Sequence, residues 1–227
     1  MFDGVFWSNA FLRDMFHKNG LICSIEQIVP FPVPERAREL FNLPEPSTNQ
    51  SLRVAFIGTL QPSKGPQVLL EAFTKIDQEV PVRLSIWGPE VYPNFLDRLK
   101  RKADKDDRIV FRGTFPQEKF ADVLGETDVV VIPALWYENT PLTALSVLAA
   151  RRVLVTSNLG GLATLVKDGK NGFLFPAGDA EKLAKILVRL AQNRSLIRRI
   201  VANISPPPRV AQYVDEILKL YPGKIQG

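Results

Sequence analysis

Apolar residues between positions 52 and 192 fall into two alternating textures. Short runs rich in β-branched and aromatic residues read as strands: LRVAFIG (52–58), RLSIWG (83–88), RIVFRG (108–113), DVVVIP (128–133), VLVTS (153–157) and GFLFP (172–176). Each is followed by a stretch whose apolar positions recur every three or four residues, the period of a helix: GPQVLLEAFTKI (65–76), NFLDRLKRKA (94–103), EKFADVLG (118–125), PLTALSVLAA (141–150), GLATLVKDG (161–169) and AEKLAKILVRLAQ (180–192). Runs apolar on both faces belong to strands buried from both sides, and helical crossovers of this length join parallel neighbours. Six such units predict a Rossmann-like α/β fold with a doubly wound, parallel six-stranded sheet.

The ends of the chain carry different patterns. Residues 1–29 predict a helix around SNAFLRDMFHKNG and a short strand SIEQIV, at most one of each, and prolines at 30, 32 and 34 close the segment. Six of the chain's 21 aromatic residues (Phe2, Phe6, Trp7, Phe11, Phe16 and Phe31) lie within the first 31 positions. So small a piece cannot bury them by itself. It reads either as a fragment of a second domain or as a segment that folds back on the body. After the triple proline at 206–208, residues 210–221 predict an amphipathic helix whose stripe is Val210, Tyr213, Val214, Ile217, Leu218 and Tyr221. The expected division is 1–34 (second-domain remnant and hinge), 35–51 (linker), 52–205 (main domain) and 206–227 (closing helix).

Composition narrows the chemistry. With 227 residues and 45% hydrophobic content the chain can fill a core. The net charge of +5 is spread along the sequence. Its basic clusters (Arg98, Lys100, Arg101 and Lys102; Arg194, Arg198 and Arg199) lack interleaved aromatics and read as solvated helix faces, so no nucleic-acid partner is expected. A single cysteine, Cys23, excludes an internal disulfide, and a single histidine, His17, argues against a His-rich metal cluster or a Ser-His-Asp triad. No apolar run approaches the roughly 20 residues that span a bilayer, and the first residues lack a basic stretch followed by an apolar one. A soluble, cytoplasmic chain is expected.

In an open parallel sheet, ligands bind where strands end at their carboxyl termini. Two of these ends carry chemistry. In IGTLQPSKG, Gly58 and Thr59 open a loop that reaches Lys64 at a helix start, an arrangement able to hold phosphate through backbone N–H groups and an ammonium, although an ordinary turn with a solvated lysine has the same pattern. In LWYENTPLTALS, Glu138 and Asn139 precede Thr140, read as a helix N-cap, and Pro141, read as the first helical position. Free N–H groups there can receive a diphosphate, and Glu138 can accept from sugar hydroxyls or stabilise positive charge, or it simply faces the helix dipole. Arg151 and Arg152 follow that helix, where positive charge suits its C-terminus. Gly160 and Gly161 allow close backbone approach to a ligand.

Read in order, F-I-G-T-L-x-P-S-K-G, R-I-V-F-R-G, W-x-E-N-T-P-L-T, L-A-A-x-x-V-L-V-T-S-x-x-G-G and D-G-x-N-G-F-L-F resemble the C-terminal domain of the family four (group 1) glycosyltransferases over residues 52–220. The first segment and the closing helix resemble the end of that family's acceptor-binding N-domain, its hinge and its crossover helix. The resemblance implies one half of a GT-B fold that holds a nucleoside diphosphate sugar and passes the hexose, with retention, to a saccharide or glycoconjugate acceptor. It implies no cofactor and no obligatory metal. Lys64 matches the phosphate lysine, Gly58 and Thr59 the glycine loop, Glu138 the first of two glutamates, and backbone at Arg112 the base cradle. The amides around Thr140, Pro141 and Leu142, beside Asn139, would face the diphosphate. Ser146 stands where the second glutamate belongs, and Thr59 where an arginine is common; Arg151 falls within the family's A-G-x-P stretch. These departures leave open a degenerate nucleotide- or partner-binding module. The missing N-domain or a partner subunit would supply the acceptor site and any peripheral membrane contact.

Overall fold

A computed structural model describes residues 4–46, 51–103 and 106–219. Six parallel strands, β3 (Leu52–Ile57), β4 (Val82–Trp87), β5 (Ile109–Gly113), β6 (Val129–Ile132), β7 (Val153–Ser157) and β8 (Gly172–Phe175), form one sheet in the order β5-β4-β3-β6-β7-β8. The two remaining strands, β1 (Val5–Trp7) and β2 (Glu26–Ile28), pair with each other. Every residue of β6 and β7 is buried, the burial on both faces that their unbroken apolar sequence requires. Between the strands run α2 (Pro66–Phe73), α3 (Phe95–Ala103), α4 (Phe120–Gly125), α5 (Leu142–Ala149) and α6 (Leu162–Leu165). Beyond β8 the chain continues into α7 (Ala180–Gln192), α8 (Arg194–Ala202) and α9 (Val210–Leu218). Helix α2 packs against α3 and α7, while α4 and α5 meet the helical segment Glu35–Asn42. The strand order reverses between β3 and β6, so their carboxyl ends diverge around the crevice where a ligand is expected.

The structure corrects several local expectations. The N-terminal segment holds two strands, β1 and β2, around α1 (Ala10–Lys18), where at most one strand was expected. VFW is too short to show an alternating pattern, and it exists as a strand only because β2 pairs with it, Val5 against Glu26 and Trp7 against Ile28. The first half of the expected 35–51 linker is not a passive connection. Residues Glu35–Asn42 form 3-10 turns that bury Ala37 and Leu40 against the main core, an amphipathic piece too short for a clear period. Arg194 belongs to no solvated face, because it forms an ion pair with the buried Asp128 at 2.9 Å. Arg152 is also fully buried. Helix α9 leans on the N-terminal segment, where Tyr213 lies edge-on to Phe31 with centroids 6.5 Å apart, and its N-cap residue Arg209 sits over Phe41 of the Glu35–Asn42 segment at 4.7 Å. Tyr221, the last residue of its expected stripe, lies outside the described residues. Among the described residues no helix is long and apolar enough to cross a membrane.

Candidate functional site

The carboxyl ends of β3 and β6 are locked together by backbone. After β3, Pro62–Lys64 make a 3-10 turn that ends at Gly65. Gly65 has φ 74°, and a Cβ there would collide with the Pro133 carbonyl oxygen, so only glycine lets this turn close on the loop after β6. The Leu135 amide donates to the Ser63 carbonyl at 2.8 Å and completes the junction. This brings Lys64 beside Glu138. Lys64 Nζ donates to Glu138 Oε1 at 2.5 Å and lies 5.2 Å from the centroid of the Trp136 ring, whose Nε1–H also donates to Glu138 Oε1 at 2.5 Å. Both members of the ion pair are partly buried, with side chains 26% and 12% exposed, so the attraction is screened less than at an open surface.

Beside the pair opens a cleft of about 380 Å³ at the ends of β3, β4 and β5. Gly58, Thr59, Leu142 and Ser146 line it, together with Trp87, Thr114 and Phe115. Its wall is aromatic: Phe115 meets Trp87 edge-on at 5.2 Å and stacks with Phe120 at 5.7 Å. Such faces accept a flat heterocycle. Helix α5 begins at Leu142, with its first-turn N–H groups at Leu142 and Thr143 lacking any intrahelical acceptor and pointing a partial positive charge out of the helix end.

The expected site residues do not all meet in one place. Gly58, Thr59, Leu142 and Ser146 share the cleft, and Lys64 and Glu138 pair with each other outside its lining. Thr140 does not cap α5. The N-cap is Pro141, with an extended ψ of 129°, and the Thr140 hydroxyl instead accepts from Asn9 Nδ2 at 3.0 Å. Asn139 is likewise drawn toward the N-terminal segment. Arg112, expected to contribute its backbone, lies at the end of β5, one residue before Gly113. The β4–β5 register passes from Ile86–Phe111 to Trp87–Gly113, which leaves Arg112 as the extra residue of a bulge, and its side chain lines a separate cavity with Arg53 and Arg83. The positions facing the cleft are Thr114 and Phe115. Residues that the sequence reading missed include Trp136, Trp87 and Phe115. A tryptophan two residues before Glu138 was the available signal for the first, while the other two depend on how neighbouring strands line up.

The model of the family described as "Glycosyl transferases group 1" matches residues 51–193. Among curated proteins, D-inositol 3-phosphate glycosyltransferase of Mycolicibacterium smegmatis is 32% identical over 164 residues, covering 68% of this chain and 36% of its own length. The enzyme of the same name from Thermomonospora curvata is 28% identical over 202 residues, covering 83% of this chain and 46% of its own. The chain thus spans between a third and a half of the length of such relatives. Among solved structures, Anabaena HepE in complex with UDP superposes with a TM-score of 0.81 at 17% identity, covering 96% of this chain and 63% of that one. Sucrose-phosphate synthase of Thermosynechococcus elongatus gives 0.74 at 21%, covering 96% and 57%.

Proposed function

Since the chain belongs to the group 1 glycosyl transferases, we propose that it is the nucleotide-sugar-binding half of a retaining enzyme that moves a hexose from a nucleoside diphosphate to a saccharide or glycoconjugate acceptor. The observation that carries this reading is the Lys64–Glu138 pair at 2.5 Å at the ends of β3 and β6, together with an aromatic-walled cleft that the first residues of α5, with their free N–H groups, help to line. A base and ribose fill the cleft, a diphosphate lies against Lys64 and the α5 amides, and the sugar lies over Glu138. Breaking the bond between the anomeric carbon and its phosphate oxygen leaves cationic character on the sugar and adds negative charge to the diphosphate. Groups aimed at both charges bind the transition state more tightly than the ground state. Lys64 and the amides act on the leaving diphosphate, and the Glu138 carboxylate acts on the sugar. Without donor, Lys64 and Glu138 neutralise each other, which keeps both in place for an incoming anion and a polyhydroxylated ring.

Ser146, buried in the cleft where a carboxylate would hold ribose hydroxyls more strongly, favours a second reading, a module that binds the nucleotide without transferring the sugar. Thermal unfolding with UDP, GDP, ADP and their sugar conjugates is the first test, UDP leading because HepE was solved with it. A ligand at about 100 times its dissociation constant adds roughly 2.7 kcal/mol, a rise on the order of 5 to 10 °C. We assign the acceptor site to a second domain, so the 227 residues alone give little transfer. Within the whole enzyme, Glu138→Gln abolishes transfer while nucleotide still binds. No shift with any of the nucleotides refutes donor binding, and undiminished transfer by Glu138→Gln refutes the role of the carboxylate.

A further inference from the structure

The loop that carries Glu138 is held by the N-terminal segment. Asn9 is buried, and its amide orientation follows from its partners: Oδ1 accepts the Leu12 amide at 2.9 Å and so caps α1, which turns Nδ2 toward a nest of acceptors. Those acceptors are Asn139 Oδ1 at 2.7 Å, Thr140 Oγ1 at 3.0 Å, the Asn139 carbonyl at 3.1 Å and Ser8 Oγ at 3.3 Å. Ser8, also buried, donates its hydroxyl to Asn139 Oδ1 at 2.7 Å. On the other side of Glu138, Tyr137 stacks on Phe11 of α1 with centroids 5.3 Å apart. From beneath, the Gly161 amide donates to the Glu138 carbonyl at 2.7 Å, and any Cβ at Gly161 would strike the Asn139 carbonyl and crowd Asn9 Nδ2.

We infer that Asn9, assisted by Ser8, is a positioning residue. Its side-chain amide clamps Asn139 and Thr140 and thereby sets the height and direction of Glu138 toward Lys64 and the donor sugar. The inference deepens the functional reading above and rests on it for its catalytic consequence. The geometric claim stands by itself. A helix cap needs only an acceptor oxygen, which serine and aspartate supply as well as asparagine. The two N–H bonds directed at the 139–140 loop go beyond what capping requires, and a misplacement of about 1 Å at a reacting group is enough to cost on the order of 100-fold in rate.

That separation of cap from clamp defines the experiment. Asn9→Ser keeps the cap and removes the reach to Asn139, whereas Asn9→Asp keeps the cap and points carboxylate oxygen at acceptors. Ser8→Ala is the gentler variant should either fail to fold. The reporter is the indole N–H of Trp136, bonded to Glu138, read by ¹H–¹⁵N NMR in a chain whose other two tryptophans are Trp7 and Trp87. The expected result is a shifted or broadened Trp136 indole signal, largest in Asn9→Asp and smallest in Ser8→Ala, with the Trp87 signal unmoved. In the whole enzyme kcat falls roughly 10-fold or more with little change in KM. An unmoved Trp136 signal in the folded variants overturns the clamp, as does a full kcat in Asn9→Ser where Glu138→Gln is inactive. If Glu138→Gln is fully active, the role of the carboxylate falls, and a displaced Trp136 signal still upholds the clamp.

Discussion

Replacing Arg152 by methionine tests how this fold tolerates a buried charge away from its site. Arg152 precedes β7 and is 0% exposed. Its Nε donates to the Leu124 carbonyl at 2.7 Å, but Nη1 and Nη2 have no hydrogen-bond partner among the described residues. Burial is the main reason its pKa drops from the ordinary arginine value to about 10, with the field of Arg53 pushing the same way and that of Asp128 opposing. At about 1.4 kcal/mol for each power of ten, holding the charge inside costs about 3 kcal/mol at neutral pH. The sign follows from proton linkage. Above about pH 10 the unfolded chain still binds the proton that the folded one gives up, so the penalty is complete below this pH and is relieved as the pH rises beyond it. Methionine of similar length leaves no charge to desolvate. It also forfeits the Leu124 bond, worth about 1 kcal/mol, and some attraction to Asp128, which keeps its ion pairs to Arg53 at 2.7 Å and to Arg194 at 2.9 Å. The net expectation for Arg152→Met is a gain of about 1 to 2 kcal/mol in urea unfolding at pH 7, as found when buried ions give way to apolar groups elsewhere. The melting midpoint should rise by roughly 3 to 6 °C. A loss exceeding about 1 kcal/mol would refute the reasoning, since it would mean that the two Nη groups are well satisfied and the charge stabilises the fold.

Three other substitutions follow from backbone and charge geometry. Arg151 has φ 51°, a left-handed conformation that disfavours any side chain, so Arg151→Gly should stabilise the chain by about 0.5 to 1 kcal/mol in the same urea assay. Gly65→Ala drives a methyl into the Pro133 carbonyl. It should cost about 2 to 4 kcal/mol and weaken nucleotide binding in calorimetry by displacing Lys64. The Arg108 guanidinium beside Asp106, bonded to it at 2.7 Å, holds that carboxyl below its ordinary value of 3.8. A depressed folded value means stability that is present above about pH 4 and lost as the pH falls further. Asp106→Asn should therefore lose about 1 to 2 kcal/mol at pH 7, and its difference from the parent should shrink as the pH falls below about 4 in acid titration followed by circular dichroism.

How far the site was legible depended on whether its parts lie close in sequence. Lys64 and Glu138 could each be singled out because each sits just past a recognisable strand, at a position where an open sheet binds ligands. The aromatic wall was invisible because Trp87 ends β4 and Phe115 follows β5, and the two meet only through the β4–β5 register, which the bulge at Arg112 shifts by one residue. Thr140 carried the right residue type for a cap, but a stronger competitor, the Asn9 amide 131 positions earlier, took its hydroxyl.

By itself the sequence determined the alternation of strand and helix, because period-two and period-3.6 burial are local properties of a chain. It also determined that the sheet is covered on both faces, since nearly continuous apolar strands require it. Five ordered motifs carried the family as well. Tertiary structure alone decided that Arg152, Arg194 and Asp128 share the interior, that residues 35–42 belong to the core, and that the N-terminal segment grips the loop of Glu138. Each of these is a contact between residues distant in sequence, where a side chain's partner rather than its own polarity sets its energy. An arginine looks solvated in a linear pattern until the fold withdraws its water.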